Sequence, residues 1–209
     1  MRQFTPLLRL PAALLAALLI AACNPASAPT AAPSSWQLDI TASQVQIFAI
    51  KAEQIGESFS LALGNGTVDQ DGNIELSIDL ASIDTGIPIR NERMRKFLLK
   101  TEDWPMATVS ANIDLQQFEG LMIGQMLSAN APVELALHGL KVSYEVNFLI
   151  TRLSTKRVMV QSATPISVVA DDLNFGAGLA KLQELAGLPS ITPVSAIGFL
   201  LIFEGESEP

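Results

Sequence analysis

The chain has 209 residues, with 13 Lys+Arg against 21 Asp+Glu and a formal charge of −8. An acidic balance of this kind argues against nucleic acid as a partner, because phosphate neutralisation needs clustered cations. A single cysteine and a single histidine leave no disulfide framework and no multi-histidine zinc or haem site.

The first element is a leader. Residues 1–22 carry Arg2 and Arg9, no acid, and an apolar run from Leu10 to Ile20. That is a basic segment followed by a hydrophobic segment of signal-peptide length. It is shorter than the roughly 20 apolar residues a membrane span requires. The run ends in Ile20-Ala21-Ala22-Cys23, the pattern of a lipobox: an aliphatic residue, two small residues that fit a peptidase cleft, and a thiol that accepts a diacylglyceryl group. The expectation is cleavage after residue 22 and a lipid on Cys23. Loss of Arg2 and Arg9 leaves 11 basic and 21 acidic residues, a formal charge of −10. Asn24 is not the aspartate that commonly retains such proteins in the inner membrane. The expected location is therefore the cell envelope, anchored and facing the periplasm, with the outer membrane favoured. Residues 23–35 (CNPASAPTAAPSS) are small and proline-rich and read as a tether.

From Trp36 the dominant signal is two-residue periodicity. Trp36, Leu38 and Ile40 alternate with polar residues. After a break near Ala42-Ser43 the pattern resumes at Val45, Ile47 and Ala49. Further runs are Phe59–Leu63, Ile74–Leu80, Ala107–Leu115, Val133–Leu137, Val142–Ile150, a β-branched stretch Val158–Ala170, and an apolar run Ser195–Glu204. Gly64-Asn65-Gly66 and Asp71-Gly72 supply turn signals. Eight strands buried on one side predict an antiparallel sheet, closed into a barrel or folded as a sandwich. Two segments change period. Asn91–Lys100 places Met94, Phe97 and Leu98 on one helical face. Gly176–Leu188 does the same with Leu179, Leu182 and Leu185, and Gly187 and Pro189 end it. Residues 36–205 form one domain on this reading, with 206–209 as a tail.

Candidate chemistry is sparse. There is no Gly-x-Ser-x-Gly elbow. His138 reads as a rim residue beside Gly139. Asp79 and Asp84, Glu102 and Asp103, and Asp171 and Asp172 are the paired carboxylates, and glycoside hydrolysis needs two that face each other across a cleft. Asp79 alternates with Ile78 and Leu80 and is expected to face solvent. The turn Asp69–Asn73 lacks the registered glutamate of a calcium loop. The expectation is a protein that is not an enzyme, with no metal and no cofactor. Arg90, Arg93 and Arg95 concentrate charge beside apolar Met94, Phe97 and Leu98. They fit either a helix surface held by ion pairs or a polar mouth for a head group.

The domain resembles the YceI-like family of periplasmic proteins. The resemblance is carried by Trp36-Gln37-Leu38-Asp39, Ser43-x-Val45-x-Ile47-Phe48, Ile78-Asp79-Leu80-x-Ser82-Ile83-Asp84-Thr85, Arg90-Asn91-Glu92-Arg93-Met94, Trp104-Pro105-x-Ala107-Thr108, Leu137-His138-Gly139, Phe175-Gly176 and the run Leu182–Pro189. It implies an all-β fold: an extended, lipocalin-like, eight-stranded antiparallel barrel with two short helical segments near the ends. It also implies a tunnel for an isoprenoid, a quinone or a similar amphiphilic lipid. Many relatives carry a histidine where this chain reads Phe48-Ala49-Ile50-Lys51, so contacts of that histidine do not transfer. The residues expected at tunnel and mouth are Phe48, Phe59, Leu61, Ile78, Leu80, Arg90, Met94, Phe97, Leu98, Val109, Leu137, Phe148, Phe175, Leu179 and Leu182. The expected partners are that lipid, the anchoring membrane and an envelope protein. A barrel filled by its own side chains, acting as an interaction module, is the alternative.

Overall fold

The computed structural model describes Pro33 and residues 35–206. Cys23, the leader and most of the tether lie outside the described residues. Ten strands appear among these residues: β1 (Ser35–Leu38), β2 (Gln44–Lys51), β3 (Ile55–Val68), β4 (Asn73–Asp84), β5 (Met106–Asn112), β6 (Met126–Leu137), β7 (Leu140–Ser154), β8 (Arg157–Ser162), β9 (Ile166–Val169) and β10 (Val194–Glu206). All pairings are antiparallel, in the order β1-β10-β2-β3-β4-β5-β6-β7-β8, and β8 pairs back onto β10 to close the ring.

The eight alternating runs correspond to eight staves, two of them broken. β1 and β2 both pair with β10 and with β3, so they form one interrupted stave. The interruption is chemical: Asp39 Oδ1 accepts hydrogen bonds from the Thr41 and Ala42 amides and the Thr41 hydroxyl, which draws the chain out of the ladder. On the other side of β10, β8 and β9 form the second broken stave, separated by a segment containing Pro165.

Turn chemistry sets the register. His138 and Gly139 have φ of 52° and 74°, and the two-residue turn they make pairs Leu137 with Leu140. Gly72 has φ of 78°, and a Cβ there would stand 1.9 Å from the Ile113 carbonyl oxygen, so no other residue fits.

Both helices lie at one end. α1 runs α-helically over Pro88–Arg93, with proline in its first turn, and continues with π-helical bonding over Met94–Leu99. α2 is Gly176–Ala186, capped by Gly187 in the left-handed conformation. The two pack on each other at Gly178, where a Cβ would approach the Phe97 carbonyl oxygen to 2.5 Å. We call this the helical end. The opposite end holds β1, the β3–β4 and β7–β8 turns and a short 3₁₀ turn, Leu115–Phe118, and we call it the amino-terminal end. Leu115, placed by periodicity in the fourth run, belongs to that turn, because β5 stops at Asn112.

Candidate functional site

The inward phase of the staves surrounds a cavity of about 800 Å³ that runs from one end of the barrel to the other. Phe59, Leu61, Ile78, Leu80, Arg90, Met94, Leu98, Val109, Leu137, Phe148, Phe175, Leu179 and Leu182 all line it. They come from β3, β4, β5, β6, β7 and both helices, so one-sided burial on separate elements converges on one space. The space is far too large to be a packing defect, since protein interiors leave few voids larger than a water molecule. The barrel is not filled by its own side chains.

Two expected residues lie outside the lining. Phe48 falls between Ile47 and Ala49, which both face the lumen, so the two-residue period turns it outward. It is 46% exposed and lies across Gly56, where a Cβ would meet its ring at 2.5 Å. Phe97 is half-buried at the contact between the helices, with Lys96 Nζ 5.4 Å from its ring centroid. The π-helical turn rotates Leu98 and Leu99 toward the lumen in its place.

Polar groups gather at the helical end. Arg90 Nη1 donates to Glu57 Oε2 at 2.6 Å, Arg90 Nη2 donates to the Thr85 carbonyl at 2.6 Å, and Lys51 Nζ donates to Glu57 Oε1 at 2.9 Å. The Arg90 guanidinium also sits 5.0 Å from the Phe59 ring centroid, within cation–π range. The hydrogen bond from Arg90 holds the Glu57 carboxyl below its ordinary range, against the opposing effect of burial and with help from Lys51. Asn91 fixes the approach to α1: its Oδ1 accepts from the Thr85 amide and hydroxyl, and its Nδ2 donates to Asp84. Arg93 Nη1 reaches the Leu185 carbonyl at 3.0 Å and clamps α2. Arg90 and Arg93 line the cavity and Arg95 does not. The arginine cluster thus combines both sequence readings, ion-paired and at the mouth.

His138 is more than a rim residue. Its Nε2 donates to the Leu99 carbonyl at 2.6 Å, and its ring lies edge-on to Phe175 at 5.3 Å. It joins the β6–β7 turn to α1 and α2. The backbone carbonyl can only accept, so the proton resides on Nε2.

Two polar atoms in this lining have no partner among the described residues: Arg90 Nε and the Tyr144 hydroxyl. Burial, and secondarily the charge of Asp172, pushes the Tyr144 hydroxyl above its ordinary pKa. Neutral and unpaired on an apolar wall, it is available to a ligand oxygen. Tyr144 and Glu57 are additions to the expected site. Both were legible by phase: Tyr144 shares the two-residue phase of Val142 and Val146, and Glu57 that of Phe59.

The arrangement supports binding more readily than acid–base catalysis. Asp79 accepts from the Ala81 amide, Asp84 from the Gly86 amide and Asn91, and neither lines the cavity. The lining carboxylates are Glu57 at the helical end and Glu119 beside the amino-terminal 3₁₀ turn, so they do not face each other.

Comparisons agree with this geometry. A model of the YceI-like domain family matches residues 36–187. A polyisoprenoid binding domain from Saccharophagus degradans, implicated in plant cell wall breakdown, is 32% identical, with a TM-score of 0.80 over 83% of this chain and 99% of that one. BcnA of Burkholderia cenocepacia shares the fold at 16% identity, with a TM-score of 0.57 over 79% of this chain and 98% of its own. No curated protein matches the chain.

Proposed function

The chain belongs to the YceI-like domain family, and from that premise we propose that it is a lipid-binding protein of the cell envelope, tethered to a membrane through Cys23. It holds an isoprenoid, a quinone or a similar amphiphile in the barrel lumen. One observation carries the reading: an apolar cavity of about 800 Å³ threads the barrel. Such a space binds long hydrocarbon chains by removing them from water, at about 0.8 kcal/mol per CH₂. The printed description of the Saccharophagus degradans relative, a polyisoprenoid binding domain, supports the same ligand class. Arg90 and Tyr144 set the orientation of a polar head group, because each presents an unpaired polar atom on an otherwise apolar wall. The protein carries lipid without transforming it. The lipobox and Asn24 favour an outer-membrane anchor facing the periplasm.

Native mass spectrometry of the protein produced in a Gram-negative host tests this reading. The expected result is a population carrying the mass of a prenyl lipid that dissociates on extraction with organic solvent. A protein that is ligand-free and also fails to take up a fluorescent prenyl lipid added to it overturns the proposal.

A further inference from the structure

The amino-terminal end carries an apolar rim that the cavity does not account for. Met122 and Ile123 are each 64% exposed and Met126 is 53% exposed, with Leu127 and Leu153 exposed beside them. None of the five lines the lumen. They form one connected stretch of the rim: the Gly124 amide donates to the Arg152 carbonyl at 2.8 Å, and the Arg152 amide donates to the Gln125 carbonyl at 3.1 Å. Residues 120–127 contain no charged side chain. Large exposed apolar residues gathered in this way mark a contact surface.

The path of the chain says what that surface meets. The described chain begins at Pro33, which lines this same end of the cavity and packs against Gly205 beside Trp36. Pro33 lies ten positions after Cys23, a reach of about 35 Å at full extension. β7 has 15 residues, so at about 3.4 Å per residue and a tilt near 40° the barrel stands about 40 Å tall. The helical end has exposed apolar residues of its own, Ile55, Ile87 and Ile89. A tether starting at the other end would need its whole length to bring them to the anchoring membrane. The amino-terminal rim needs almost none of it.

We propose that the rim of Met122, Ile123, Met126, Leu127 and Leu153 docks onto the bilayer that holds the anchor, so that the lumen opens toward the lipid. This rests on the tethered lipid-binding reading above. The side chains enter the interface between head groups and acyl chains. The acidic body of the protein gains nothing from an anionic surface, so apolar burial into a zwitterionic phospholipid leaflet drives the contact. Arg152 lies 5.6 Å from the Trp36 ring centroid and lines the lumen immediately behind the rim. This places a cation at the level where head-group phosphates would sit.

The two tryptophans provide the test. Trp36→Phe leaves only Trp104, at the helical end beside His138. Trp36→Phe, Trp104→Phe with Ile123→Trp leaves a single reporter on the rim. Each full-length acylated protein is reconstituted on phosphatidylcholine vesicles with brominated acyl chains. The expected result is emission from the rim reporter quenched at least about 2-fold, as for a side chain about 5–10 Å into the boundary region, with Trp104 unaffected. Equal quenching of Trp104, or an unquenched rim reporter on protein that floats with the vesicles, overturns the docking and leaves the anchor standing. Protein that does not float overturns the anchor reading, and the docking falls with it. If Met122→Ser with Ile123→Ser converts a dimer to a monomer in sedimentation, and the rim reporter stays unquenched, the surface belongs to a second copy and the proposal fails.

Discussion

The two ends of the barrel are stoppered by different means. At the helical end the ties join residues far apart in sequence: His138 to Leu99, Arg93 to Leu185 and Arg90 to Glu57, across 39, 92 and 33 residues. Beneath them is a buried cluster that includes Leu80, Ile83, Met94, Leu99 and Leu173. At the amino-terminal end, Leu115, Phe118 and Leu121 cover the lumen from a segment held largely by local bonds. Asp114 caps Gln116 and Gln117, and Gln125 accepts from the Met122 amide. Long-range ties break only when whole elements separate, whereas local ones break with the segment that carries them. The difference teaches that the amino-terminal cover should open locally at lower cost than the helical one.

Three measurements break or sharpen that contrast. The largest effect is expected from Gly178→Val. The added side chain meets the Phe97 carbonyl and the Leu98 backbone, which cannot swing aside as a flexible side chain would. A loss of about 1–3 kcal/mol in urea unfolding is expected from such overpacking, with faster release of bound lipid. Unchanged stability and release would mean that α2 is not a rigid stopper. Hydrogen exchange addresses the contrast directly. Amides of residues 115–121 should exchange at least about tenfold faster than those of 178–186, equivalent to about 1.4 kcal/mol of opening free energy. Equal protection removes the asymmetry.

The smallest effect concerns Glu57. Its carboxyl is depressed in the folded state, so its contribution is present above the unfolded pKa near 4.3 and is lost as pH falls through the lower folded value. Glu57→Gln should cost about 1 kcal/mol at neutral pH, a modest value because the pair is partly solvated. Wild type and variant should converge only once the pH has fallen below the depressed folded value. A constant difference across the titration would show that Glu57 acts through packing alone.

Much of this was legible in the sequence because burial is one-sided. The eight alternating runs correspond to eight staves, and the break in period near Ala42-Ser43 is the gap between β1 and β2. The helical segments were found by period, although α1 starts at Pro88 rather than Asn91, because proline suits a first turn. Phe48 belongs to a family motif, but the two-residue phase that turns Ile47 into the lumen turns Phe48 out of it. The run of large apolar residues starts at Val133, but β6 begins at Met126, with small, polar and proline residues over its first half. Those polar and proline residues face outward on a stave whose neighbour, β7, supplies the pattern instead. The placement of both helices over one end has no local signature. It follows from where β4 and β9 happen to finish.

The position of β10 bears on how the protein is made. It pairs with β1 and β2 on one side and with β8 and β9 on the other, and Ser35 meets Glu206 across almost the whole domain. It is also the last of the described strands in chain order, and so the last of them to emerge during synthesis. Until it arrives, β2 and β8 are bare edges, prone to pair with a neighbouring molecule. Closing the ring requires the contacts of highest sequence separation among the described residues, which is a slow class of folding event. The open trough that precedes closure leaves the apolar inner faces of the staves exposed along their length, so the lumen wall meets its surroundings sideways before it is enclosed.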